Sequence, residues 1–207
     1  MMIDKNSQSG KCWHSAEHIP ELQAMLGYLR VVYDHIKDIA AYRPVKQVIA
    51  LRYDDFDEIN KIFPLLEPLR IKYNLHKRIL FLEYRSRQHY LNLPHDHDDI
   101  ESSIFFPIRY SDHAGTAFFD PTPEEIIEVP QLKLGQKLGD QLTKPRYSCS
   151  IDTVPLEIAG GDRPMLFKTD VLHSAYETEI GHPDNYARVT LAWESQMSFT
   201  QMKAFLC

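Results

Sequence analysis

From Ile19 the apolar positions Leu22, Leu26, Leu29, Tyr33 and Ile36 recur at alternating steps of three and four, one stripe on a helix of roughly six turns. With Ser15 available as a cap, that spacing predicts a helix over residues 17–40. VKQVIALRY, after Pro44, predicts one short strand. Phe56, Ile59, Ile62 and Phe63 predict a second helical piece from about Asp55, which Pro64 and Pro68 should kink or end. From Arg78 onward the pattern changes. ILFLEYR, SIFFPIRY, TAFFD, SCSIDTVPLEIA, PMLFKTD and ARVTLAWE are short β-prone runs separated by Gly, Pro, Asp and His, the texture of a sandwich or barrel. Residues 121–145 are a polar insertion, expected as a long loop over one mouth of the sheet.

The expectation is therefore an α+β, mainly β chain of one domain. Residues 1–14 form an arm, residues 15–75 a helical support packed against one sheet, and residues 78–195 the β core. At 207 residues, 43% apolar and 25% charged, the chain can bury a proper core. A net charge of -6 without any Lys/Arg cluster argues against nucleic acid as a partner. The apolar runs are too short to span a bilayer, and the polar N-terminus does not read as a secretory signal. Cys12, Cys149 and Cys207 are few and widely spaced, which fits a reducing, cytoplasmic setting. No Gly-rich phosphate loop or nucleophile motif is present.

The chemistry concentrates in LPHDHDD. Its His97 and Asp99, one residue apart, project to the same side of an extended backbone. Further on, His173 follows the apolar run PMLF. In ARVTLAWE the alternation turns Val189, Leu191 and Trp193 one way and Arg188, Thr190 and Ala192 the other. An arginine and a threonine on one strand face can clamp a carboxylate, and an arginine on an inner face calls for an anion.

In that order, His-x-Asp, a distant His and Arg-x-Thr, the chain from about Arg78 to Glu194 resembles the iron(II)- and 2-oxoglutarate-dependent dioxygenases, whose core is a double-stranded β-helix of jelly-roll, cupin-like form. The resemblance implies that His97, Asp99 and His173 ligate iron and act as the catalytic centre. It implies that Arg188 and Thr190 hold 2-oxoglutarate, which becomes succinate and CO2 as a small molecule or protein side chain is hydroxylated. Two imidazoles and one carboxylate on one side of an octahedral iron leave positions for co-substrate and oxygen.

Other readings stay open. His95 and His97 form a His-x-His frame closer to a cupin-type ligand set, so His95 is an alternative ligand to Asp99, with metal chemistry that needs no 2-oxoglutarate. HDHDD is also what a solvated turn looks like, and the same fold could be a binding module with an empty site. Tyr84, Arg87 and Tyr90 are weaker contact candidates, expected on a solvent-facing edge strand, and Arg109 is a weak substrate-contact candidate.

Overall fold

The computed structural model describes residues 10–39, 41–45, 48–53, 57, 60–61, 63–77, 79–84, 94, 100–110, 114–129, 146–150, 152–177 and 188–207. Strand β1 (Trp13–Ser15) leads into α1 (Pro20–Ile39), then β2 (Ala41–Val45), β3 (Val48–Tyr53), α2 (Leu66–Lys72) and β4 (Ile79–Tyr84). After these come β5 (Ser102–Tyr110), β6 (Ala114–Phe118), a 3-10 turn (Pro123–Glu125), β7 (Ile126–Val129) and β8 (Arg146–Cys149). The chain ends with β9 (Glu157–Gly160), β10 (Met165–Lys168), β11 (His173–Glu177), β12 (Arg188–Ser195) and α3 (Phe199–Leu206).

Among the described residues the strands form a main sheet in the order β1-β10-β5-β12-β4-β3-β2 and a second sheet β11-β6-β9, with β7 and β8 paired apart from both. Every pairing is antiparallel. The main sheet is a wall with a core on each side. On one face Ile104, Phe106, Ile108, Leu166, Val189, Leu191 and Trp193 pack with residues of α1, α2 and α3, including Leu22, Leu29, Leu69 and Met202. On the other, Phe105, Met165, Phe167 and Ala192 pack with Phe118 and Ala159 of the second sheet and with Trp13. The expected support of one sheet by helices is thus observed, with the α1 stripe Leu22, Leu26, Leu29 and Tyr33 buried.

Several expectations are corrected. Ser15 does not cap α1. It closes β1, opposite Met165, and the helix starts at Pro20, whose fixed φ and missing N–H suit a first turn. Residues 10–14 are not an arm, because Glu157 accepts the Lys11 and Cys12 amide protons and Trp13 is buried. Residues 15–75 are not purely helical: β2 and β3 make a hairpin that prolongs the main sheet, with Val45 opposite Val48. Pro44 is tolerated because β2 lies at the sheet edge. Of the second helical piece, residues 57, 60 and 61 are helical. Pro68 does not end a helix; it lies in the first turn of α2, where its N–H would have no intrahelical acceptor. Residues 126–129 of the insertion are strand, not loop. No described helix is long and apolar enough to cross a membrane.

Candidate functional site

His173 opens β11 in register with Phe118 of β6. Directly paired residues share a sheet face, and Phe118 meets Phe167 of the main sheet edge-on at 5.4 Å. The imidazole therefore lies on the inner face, 6.1 Å from the Phe118 ring centroid and only 5% exposed. Its Nδ1 is 2.8 Å from the Val171 carbonyl oxygen. A carbonyl only accepts, so Nδ1–H donates; in the neutral ring this leaves the lone pair on Nε2, the tautomer in which a histidine ligates a metal through Nε2.

Thr190 is fully buried in the middle of β12. Its neighbours Val189 and Leu191 belong to the helix-side core, so Thr190 faces the second sheet, as Ala192 does. Its register partners are Leu82 on β4 and Pro107 on β5, where the pairing shifts between Val189 and Thr190. Bulges of this kind re-aim side chains at sites. The Thr190 hydroxyl oxygen is buried and has no hydrogen-bond partner among the described residues. Such a group carries a desolvation cost of about 1–3 kcal/mol and asks for an explanation, since valine would fill the same space without it.

Arg188 stands two residues earlier on β12, in register with Tyr84 and Tyr110. Because β4 lies between β3 and β12, Tyr84 is on an interior strand, not the expected edge. Arg87 and Tyr90 lie outside the described residues. Arg109 sits over the Tyr33 ring of α1 at 5.3 Å, on the helix side and away from Thr190, so its candidacy falls. At the Tyr110 end of the space between the sheets the second sheet carries small side chains, Ala114 and Thr116 on β6 and Ala175 on β11. The opposite end is filled by Phe105, Phe118 and Phe167.

His95, His97 and Asp99 lie outside the described residues; of the five residues of the sequence pattern the structure describes His173 at the start of β11 and Arg188 and Thr190 on β12. Among the described residues no group of three His, Cys, Asp or Glu side chains is placed to hold a metal. The two ends of the His-Asp segment are described. Ser148 Oγ donates to the Pro94 carbonyl at 2.6 Å, and Thr169 Oγ1 donates to the Ile100 carbonyl at 2.6 Å. The Thr169 amide also donates to Glu101 O at 3.1 Å. Neither Ser148 nor Thr169 was singled out by sequence, since each acts across a long stretch of chain that leaves no local pattern.

Comparison with protein-family models finds no match, and no curated protein matches. Among solved structures the chain is similar to several. One is a Burkholderia pseudomallei oxidoreductase of the 2OG-Fe(II) oxygenase family, with 11% identity over 82% of this chain and 78% of that one and a TM-score of 0.48. Another is the epimerase SnoN in complex with Fe3+, alpha-ketoglutarate and nogalamycin RO, with 13% identity over 89% and 78% and a TM-score of 0.41. A Pseudomonas putida prolyl-4-hydroxylase shows 11% identity over 90% and 93%, with a TM-score of 0.40. Likeness of this degree assigns no activity; the residues themselves have to carry it.

Proposed function

We propose that this chain is a non-haem iron(II), 2-oxoglutarate-dependent oxygenase that hydroxylates a small molecule or a protein side chain, built as one domain around a double-stranded β-helix. The winding supports that fold: β5 lies in the main sheet, β6 and β9 in the second, β10 in the main, β11 in the second and β12 in the main. In this reading His97, Asp99 and His173 hold the iron, with His95 the alternative to Asp99, and Arg188 and Thr190 hold the far carboxylate of 2-oxoglutarate. The free thiols of Cys12, Cys149 and Cys207 suit a cytoplasmic setting.

The observation that carries it is the buried, unpartnered Thr190 hydroxyl on an inner strand face, two residues from an arginine. It faces the sheet on which His173 is fixed in the ligating tautomer. Donor chemistry fits both groups. A neutral imidazole at Nε2 suits ferrous iron, and a hydroxyl beside a guanidinium suits a carboxylate. When bound, the iron with 2-oxoglutarate supplies the oxidation of the substrate. The protein's own part is positional. Val171 O orients His173, Thr190 donates to the carboxylate, Arg188 neutralises it, and the Phe105, Phe118 and Phe167 floor keeps water from below.

Anaerobic addition of iron(II) and 2-oxoglutarate should produce a weak visible charge-transfer band that neither gives alone. A metal-replete sample without that band would overturn the proposal. Arg188→Met should weaken 2-oxoglutarate binding while leaving iron bound, and His173→Ala should lose the metal. Metal uptake that 2-oxoglutarate leaves unaffected would select the cupin-like alternative with His95.

A further inference from the structure

We infer that Thr169 is a positioning residue of the proposed metal site, its hydroxyl holding the segment that carries His97 and Asp99 against the turn that delivers His173. The inference rests on the reading of that site given above.

β10 pairs with β5 as far as Lys168 opposite Ser102, and the Thr169 amide extends the ladder by one bond to Glu101 O. Sheet pairing accounts for that bond. It does not account for the second one, in which Thr169 Oγ1 donates to Ile100 O at 2.6 Å from a side chain only 1% exposed. Ile100 is the residue covalently attached to Asp99, and Thr169 precedes His173 by four residues.

The run between them is fixed at successive points. The Val171 carbonyl receives the His173 Nδ1 proton, and the Leu172 carbonyl accepts from the Phe119 amide at 2.9 Å. One hydroxyl therefore spans two parts of the proposed ligand set that lie far apart in sequence. Upstream Ser148, fully buried, donates to Pro94 O at 2.6 Å, so Pro94 and Ile100, the described residues next to 95–99, are each held by a buried hydroxyl. Partners outside the ligand shell that set ligand orientation typically change metal affinity by about 10–100-fold when removed.

Thr169→Val keeps the side-chain shape and the backbone bond and deletes only the clasp. Cobalt(II), a spectroscopic probe of such sites, should bind this variant about 10–100-fold more weakly than wild type by titration of its visible absorption. Thr169→Ser, which restores the hydroxyl, should bind as wild type does. The melting temperature of the metal-free proteins separates this role from a merely structural one, which would lower stability and leave cobalt affinity of the folded protein unchanged. Folded Thr169→Val with wild-type cobalt affinity would overturn the inference and leave the proposed function standing; wild type that takes up no cobalt would overturn both. Should Thr169→Val not fold, Ser148→Ala decides: weaker cobalt binding supports the clasp, and unchanged binding removes it.

Discussion

Thr190 presents two opposed demands on one side chain. A buried hydroxyl without a partner costs the folded protein free energy, whereas a hydroxyl facing a carboxylate ligand recovers it with a charge-assisted bond of about 1.5–3 kcal/mol. Thr190→Val should therefore leave the ligand-free protein as stable as wild type, or more stable by about 1 kcal/mol, in thermal melts. The same variant should bind 2-oxoglutarate about tenfold or more weakly by calorimetry. A destabilised variant that binds 2-oxoglutarate normally would remove Thr190 from the clamp. His173 adds a second such case. Its donation to Val171 O fixes which nitrogen faces outward, and no sequence pattern specifies that contact.

Helices α1 and α2 are joined by one carboxylate. Glu21, in the first turn of α1, accepts from Lys72 at the end of α2 and from the Tyr73 hydroxyl just beyond it. The Lys72 ammonium first and the Tyr73 hydroxyl second hold the Glu21 carboxyl at about 2, below its ordinary 4.5. Burial, and then Glu21, push the Tyr73 phenol up in return. A depressed carboxyl contributes stability that is complete above 4.5 and disappears as the pH falls through about 2. Glu21→Gln should lower stability near neutral pH by about 0.5–1 kcal/mol, the range of exposed pairs. The difference should close as the pH falls through that window; a gap independent of pH would mean that packing, not charge, links the helices.

Sequence made α1 legible because its stripe has the helical period, and β12 because its alternation is clean. The single strand expected over VKQVIALRY corresponds to β3, whereas β2 (Ala41–Val45) contains Pro44, which reads as a boundary and is admissible only at the sheet edge. The insertion hid β7 because Ile126–Val129 is short and partly charged. Helix α3 is short and leaves only a local signal, the capping-box spacing of Ser198 and Gln201, which do form one. The candidate residues His173 and Thr190 stand out in the sequence by their type and order. The hydroxyl bonds of Thr169 to Ile100 and of Ser148 to Pro94 do not, because they join residues 69 and 54 positions apart.

The main sheet divides the protein into a helix-side core and an inter-sheet core, and a third cluster covers the outer face of the second sheet. The cysteines sample this arrangement. Cys12 belongs to the inter-sheet core, Cys149 to the outer cluster, and Cys207 is exposed. Burial, with Glu157 beside it, pushes the Cys12 thiol up to about 12, and burial raises Cys149 as well. Thiolates react and thiols scarcely do, so a disulfide reagent applied to the native protein near pH 8 should label one cysteine quickly. Cys207→Ser should abolish that fast phase. Cys12 and Cys149 should then react only as the fold opens, at one common denaturant midpoint shared with the loss of circular dichroism, provided both clusters unfold together. Cys149 labelling well before Cys12 would show instead that the outer cluster, with Ser148 and its hold on Pro94, opens locally from an intact inter-sheet core. A second fast thiol at native conditions would contradict the burial on which the layering rests.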